Sequence, residues 1–474
     1  MSSSGRVTRF GLRNFKAFHY LEDIELKPLT VLVGANSSGK SSIFQALLLL
    51  KQSSEAGRSS GLLKFDGEWT KLGSFANVVS DFDISRDIEF RFETTTDVPK
   101  MPWSGTGPSV QWVGLKSDIR FVFGANQDPT QVVLRRSSIR SHPLGSVENS
   151  NPVAIEYRSG GPLHENIYLS SFDPPAKIDK VSGVNVDKFW LESLDLVMQV
   201  GDKELKLPSV PIPVEVFGPT AALRHLIEQQ LEYLGPIRAD PRAFYPIEED
   251  LRIGSRGEGT IPYLLKQQHD LVSYAPSPVD ALRGAPLLEA VNDWLRRMKV
   301  TSHLTIDPIE PIAYTAAIQT SATKKSVNLS QVGFGISQLL PVLVMGLKGP
   351  PDAWLLFEQP ESQLHPRLQA EIGDFFLATA RAGKTVMVET HSDHLVNRLR
   401  RRIAEDETGE LARMVQILFV HAGTPDDPSS YVEPLAVDES GMIVNCPPDF
   451  FSETADEAFA ILNARRKRPA KGPR

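Results

Sequence analysis

The sequence predicts an α/β fold built around a phosphate-binding loop, and three observations carry that expectation. Gly34-Ala-Asn-Ser-Ser-Gly-Lys40-Ser41 fills every fixed position of G-x-x-x-x-G-K-[ST]. Leu29 to Val33 before it is a short apolar run rich in β-branched residues, which reads as a buried strand. Ser42 to Gln52 after it carries Ile43, Ala46, Leu47 and Leu50 at helical spacing. Strand, glycine loop and helix is the setting in which the loop amides form an anion-binding concavity at a helix N-terminus. Asn36, Ser37, Ser38, Gly39, Lys40, Ser41 and Ser42 are therefore the expected nucleotide-binding residues. Lys40 places a point charge on the β- and γ-phosphates of ATP, and the Ser41 hydroxyl ligates Mg²⁺.

Composition sets the frame. The chain has 474 residues, 41% hydrophobic and 23% charged, enough for two or three domain-sized units with a sizeable core. A net charge of −7 argues against a protein coated in basic surface, though not against a local basic groove. The one cysteine, Cys446, excludes a disulfide framework and a cysteine-based zinc site. The N-terminus lacks the apolar core of a secretion signal and no apolar run is long enough to span a bilayer. A cytoplasmic protein without a membrane partner is expected.

From the start, Thr8 to Phe15 alternates as a half-exposed strand and Leu21 to Leu26 reads as a second one. Residues 53 to 215 carry no chemical motif. Ile88–Phe92, Ile119–Phe123, Gln131–Leu134, Ala154–Tyr157 and Leu194–Val200 are short alternating runs separated by Gly, Pro, Ser and Asp, so a β-rich region is expected. No sustained heptads occur there. Arg135, Arg136 and Arg140 are read as a solvated loop face before a phosphate contact. Ala221–Leu234 and Pro286–Val300 have helical periodicity, and Leu304–Ile306 and Ile312–Gln319 read as strands. Between them, Gly235-Pro-Ile-Arg238 leaves open a nucleotide or DNA contact or a structural ion pair.

Chemistry returns near residue 330. Leu329-Ser-Gln-Val-Gly-Phe-Gly335-Ile-Ser337-Gln338 precedes an apolar helix, Leu339–Leu347. Ala353 to Phe357 is a buried strand closing on Glu358-Gln359-Pro360-Glu361. An acidic residue ending an apolar strand is the Walker B position, whose task is to hold the Mg²⁺ shell opposite Ser41. The expected metal-holding pair is thus Ser41 and Glu358. Thr385–Val388 is a further strand, followed by Glu389-Thr-His391-Ser-Asp393. The helix His394–Ile403 turns Arg398, Arg400, Arg401 and Arg402 largely outward, as a solvated or nucleic-acid-facing side. Strand-like runs follow from Val415, then a short amphipathic helix and a basic tail.

The stretches Leu12-Arg-Asn-Phe-Lys-Ala-Phe18 and Ile24 to Ser42 resemble the opening of ABC-type ATPases related to RecF, SMC heads and OLD-like proteins. Glu358-Gln-Pro-Glu361-Ser-Gln-Leu-His-Pro366 is similar to the E-[EQ]-P-E-x-x-L-H-P spelling of the OLD-like group. The resemblance implies an ABC-ATPase-like (SMC/RecF head) P-loop fold with a central sheet and a β-rich insertion between two lobes. It implies that residues 330–338 form a signature-like loop in which Gly335 and Ser337 reach the γ-phosphate held by a second subunit, although the lettering departs from L-S-G-G-Q. It also implies His391 as the switch histidine. Glu358, Gln359, Glu361 and His391 are the expected catalytic residues, with Gln359 standing where a catalytic glutamate is usual.

The expected organisation is an N-terminal lobe over 1–54, a β-rich insertion over 55–215, a C-terminal lobe over 216–445, and a helix with a basic tail over 446–474. The implied function is an ATP-gated switch of the ABC/SMC-head AAA type, without a nuclease domain of its own. It would work as a homodimer or higher homo-oligomer with a separately encoded effector such as a nuclease, and DNA as a further partner, in anti-phage defence or DNA repair. An ATP-binding scaffold with negligible hydrolysis is the alternative, and an ABC transporter ATP-binding subunit the third.

Overall fold

The computed structural model describes residues 5–57, 62–100, 111–126, 131–144, 153–159, 180–200, 203–246, 252–300, 303–309, 313–319, 325–447 and 450. The organising element is a six-stranded sheet. Its strands lie in the order Leu231–Leu234, Trp354–Glu358, Thr385–Glu389, Leu29–Val33, Val415–His421 and Tyr431–Leu435. The first five run parallel and the last antiparallel. Parallel strands are covered on both faces and so read as near-continuous apolar runs, as Leu-Thr-Val-Leu-Val does, with all five residues buried.

Alternation along each strand sorts side chains into two cores. Val31, Val33, Leu355, Phe357, Val388 and Ile417 face a core shared with the helices Phe334–Leu347, Pro366–Arg381 and Asp393–Glu405. Leu32, Leu356, Met387, Leu418 and Val420 face a second core, built with Ile43, Phe44, Leu47 and Leu50 of the helix Lys40–Glu55. That second core is completed by an antiparallel sheet in the order Phe18–Glu25, Arg6–Phe15, Ile88–Lys100, Gln111–Ala125, Val132–Pro143 and Val153–Arg158. Aromatic pairs seal it, with Phe10 and Phe92 ring centroids 5.1 Å apart and Phe121 and Trp190 5.2 Å apart.

The β-rich region expected between the lobes is present. Four of its five expected runs fall inside observed strands and the fifth, Gln131–Leu134, starts one residue before the strand Val132–Pro143, while Lys180–Asp187, Trp190–Val200 and Lys203–Pro211 form a separate three-stranded sheet. The antiparallel sheet runs across the boundary expected at 54/55, because Arg6–Phe15 pairs directly with Ile88–Lys100. Arg135, Arg136 and Arg140 lie on the strand Val132–Pro143, where Arg136 pairs with Glu156 at 2.9 Å and Arg135 with Asp87 at 3.8 Å.

Two expectations are corrected. The helix read over Ala221–Leu234 is a helix only over Val214–His225; a single π-turn follows, and Leu231–Leu234 is an edge strand of the central sheet. Leu231 and Leu234 are spaced as on a helix face, but parallel pairing with Trp354–Phe357 buries both. The arginine-rich face of the helix Asp393–Glu405 is only partly outward. Asp374, fully buried, accepts from Arg398 at 2.8 Å and from Arg402 at 2.7 Å, with Arg297 3.6 Å away. A buried carboxylate needs such partners, so these arginines lock two helices together. Arg401 pairs with Glu405 at the surface. The helix and tail expected at the C-terminus lie almost wholly outside the described residues.

Candidate nucleotide site

The central sheet delivers the phosphate loop and two carboxylates to one edge. Glu358 and Glu389 end neighbouring parallel strands in register, and Glu389 stands opposite Leu32 of the phosphate-loop strand. Ligands of open α/β sheets bind at these carboxyl ends.

The loop is shaped for close approach. Gly34 has φ 144°, and a Cβ there would lie 2.4 Å from the Val420 carbonyl oxygen, so glycine is required. Gly39, at φ 102°, caps the helix Lys40–Glu55, whose first turn has no acidic residue to offset the helix dipole. Ala35, Asn36 and Ser37 are exposed, while Ser38 is fully buried and its hydroxyl has no hydrogen-bond partner among the described residues. Lys40 is 3% exposed; its Nζ donates to the carbonyl oxygens of Gly34 (3.0 Å) and Ala35 (2.6 Å). Burial pulls its pKa down, against the fields of Glu389 and Glu358. The ammonium therefore rests on the loop's own carbonyls.

Ser41 Oγ lies 2.9 and 3.1 Å from the two carboxylate oxygens of Glu389, its acceptor. Ser41 and Glu358, the expected metal-holding pair, do not share a hydrogen bond here. Glu358 accepts instead from the Tyr233 hydroxyl at 2.5 Å. Tyr233 comes from the edge strand read from sequence as helix, and burial, then Glu358, pushes its hydroxyl well above the usual range. Arg238, 3% exposed, donates to the main-chain oxygens of Pro236 (3.1 Å), Gln359 (3.0 Å) and Glu358 (3.4 Å). It is a clamp on the acidic strand end, and burial lowers its pKa to about 10.

Gln359 has φ 45° and its amide donates to the Glu389 carbonyl at 2.8 Å. Glu361, 7% exposed, accepts from the His391 amide at 2.8 Å; its other oxygen has no partner among the described residues, and burial raises its pKa. His391 is exposed overall, but its imidazole is partly buried, and that burial and then the Lys40 charge lower its pKa. Gly335 and Ser337 sit at the start of the helix Phe334–Leu347, where a Cβ on Gly335 would lie 3.7 Å from Leu364.

Glu389 is 2% exposed and its carboxyl is pushed up to about 7, first by burial and then by Glu358, against Ser41 and Lys40. Its ordinary value is 4.5. The fold therefore favours the protonated acid: that stabilisation is complete below about pH 4.5 and is lost as pH rises to about 7. Glu389→Gln removes the buried charge while keeping an acceptor for Ser41. Without nucleotide at pH 8 it should melt above wild type, by at most about 3 kcal/mol of stability at about 1.4 kcal/mol per pH unit. At pH 4.5 the two should melt together. Thermal melts at both pH values check this.

The donor set fits Mg²⁺ with a nucleotide. A hydroxyl and hard carboxylate oxygens suit the cation, and the helix N-terminus, Lys40 and the unpartnered Ser38 hydroxyl suit phosphate. Two family models match parts of the chain. Residues 6–128 match the family model described as "AAA ATPase domain". Residues 257–397 match the one described as "AAA domain, putative AbiEii toxin, Type IV TA system". Similar solved structures include an SMC head bound to the C-winged helix domain of ScpA, at 11% identity, TM-score 0.41, covering 92% of this chain and 98% of that one. The SMC head domain from Thermotoga maritima matches at 12% identity and TM-score 0.35, covering 91% and 99%. The Smc head domain with an extended coiled coil, bound to the C-terminal domain of ScpA and derived from Pyrococcus furiosus, matches at 10% and 0.37, covering 98% and 100%. No curated protein matches the chain. Two stretches of the chain thus match AAA-type domain models: residues 6–128, with the phosphate loop and the first strands of the β-rich region, and residues 257–397, with the acidic strand ends and His391.

Proposed function

We propose that the chain is an ATPase working as an ATP-gated switch between subunits. The observation that carries the reading is the convergence of Lys40 and Ser41 with Glu358 and Glu389 on one edge of the central sheet. On binding, Lys40 leaves the carbonyls of Gly34 and Ala35 for the β- and γ-phosphates. Ser41 and carboxylate at the strand ends would hold the cation, which when bound would neutralise phosphate charge. Gln359, on a backbone fixed by Arg238 and by the Glu389 carbonyl, accepts a hydrogen bond from the attacking water. It orients that water but cannot take its proton. His391 would face the γ-phosphate.

Ser330, Gln331 and Gly333 are exposed. Their exposure supports a composite site in which residues 330–338 meet the nucleotide of a second copy. ATP in place of ADP should then raise the mass in solution, or close an existing dimer. Light scattering and small-angle scattering in the two nucleotides test this; profiles blind to nucleotide while binding is intact contradict the composite site. Action on DNA or with a separate nuclease, in anti-phage defence or repair, is the biological setting proposed from the resemblance of the phosphate-loop and Glu358–Pro366 segments. A scaffold with negligible hydrolysis is the second reading, favoured by Gln359.

A further inference from the structure

The geometry points to Glu389, and not the Walker B-placed Glu358, as the protein carboxylate that shares the nucleotide's divalent cation with Ser41. This rests on the ATP-binding reading above and assigns its metal site.

Three observations converge on it. First, cis ligands of an octahedral Mg²⁺ stand about 2.9–3.0 Å apart when each is about 2.1 Å from the ion. The Ser41 hydroxyl is 2.9 and 3.1 Å from the Glu389 oxygens. The pair already has the spacing of one edge of that octahedron, and a cation held by both would take the place of the hydrogen bond, with the Ser41 hydroxyl keeping its proton and turning it away from Glu389. Second, neighbouring strands lie about 4.8 Å apart. The strand Thr385–Glu389 is next to the phosphate-loop strand, with Glu389 opposite Leu32, while Glu358 is one strand further away. Third, Glu358 is engaged elsewhere. The Tyr233 hydroxyl donates to its carboxylate, and Arg238 donates to its main-chain oxygen and to that of Gln359.

Beside the acidic groups there is an independent sign of a missing ligand. Ser38, fully buried in the phosphate loop, has a hydroxyl with no hydrogen-bond partner among the described residues. A loop that leaves such a group unsatisfied is completed by a phosphate oxygen and its cation.

The test is the magnesium dependence of ATP affinity, measured by calorimetry on the full chain in Mg²⁺ and in EDTA. The variants are Glu389→Gln and Glu358→Gln. Glu389→Gln should lose at least tenfold of the affinity that Mg²⁺ confers on wild type, while its affinity in EDTA stays equal to wild type or rises, since a carboxylate facing the phosphates has gone. Retained binding in EDTA also shows that the variant is folded. Glu358→Gln should show the smaller loss. Glu389→Asp, which keeps the charge on a shorter stem, should fall between wild type and Glu389→Gln. Magnesium dependence unchanged in Glu389→Gln, or a larger loss in Glu358→Gln, overturns the assignment alone. Wild type that binds no ATP in either condition overturns the ATP-binding reading and the assignment with it.

Discussion

Gln359→Glu raises the steady-state rate of ATP hydrolysis at least tenfold over wild type. The side chains have nearly the same shape, and the backbone is fixed on both sides: the residue's amide donates to the Glu389 carbonyl and its own carbonyl accepts from Arg238. The exchange therefore alters chemistry at a set position. Glutamine offers a carbonyl oxygen that orients water, whereas glutamate also takes the proton. General-base assistance is worth about 10²–10⁴-fold. The gain is set at the lower end because the new carboxylate joins Glu358, Glu361 and Glu389, whose mutual repulsion already raises Glu389. A coupled assay at saturating Mg·ATP reads it. If wild type already turns over several times per second and Gln359→Glu changes nothing, the base lies elsewhere. Glu361→Gln is then the next variant, since that buried carboxylate is tied to the His391 amide.

Lys40→Ala weakens ATP binding at least about 100-fold, or roughly 2.7 kcal/mol at about 1.4 kcal/mol per tenfold. The substitution removes two or three charge-assisted hydrogen bonds to phosphate. It also removes a cation that lowers the Glu389 carboxyl, leaving Glu389 and Glu358 to face the triphosphate without it. Part of the loss is offset, because wild type must first release the Gly34 and Ala35 carbonyls from Lys40. Fold and melting temperature should change little, as those carbonyls reach water once the lysine is gone. Calorimetry with Mg·ATP on both proteins measures the difference.

The parts of the site that lie in one short stretch were legible in the sequence. The phosphate loop declares its strand, its two glycines and its helix within Leu29 to Gln52, and the structure keeps all three. Glu358 was legible as an acid closing an apolar strand. The same signal was present in Thr-Val-Met-Val-Glu389, but the neighbouring His391 drew the reading, and which strand lies beside the phosphate loop is decided by sheet order. Strand order is a tertiary property: Leu29–Val33 sits between strands that begin at residues 385 and 415. Tyr233 was hidden for a related reason. Leu231 and Leu234 repeat at helical spacing, and only pairing with Trp354–Phe357 makes the segment a strand. The outward reading of Arg398 and Arg402 failed because their partner Asp374 lies on another helix, and no periodicity within one helix reports a partner on the next.

The account's central claim is that Lys40, Ser41 and the carboxylates at the strand ends form one Mg·ATP site. Calorimetric titration of the wild-type chain with ATP in Mg²⁺ tests it most directly. The predicted result is saturable binding of one nucleotide per chain, strengthened by Mg²⁺ and removed by Lys40→Ala. Absence of binding, or binding indifferent to both Mg²⁺ and Lys40→Ala, contradicts it.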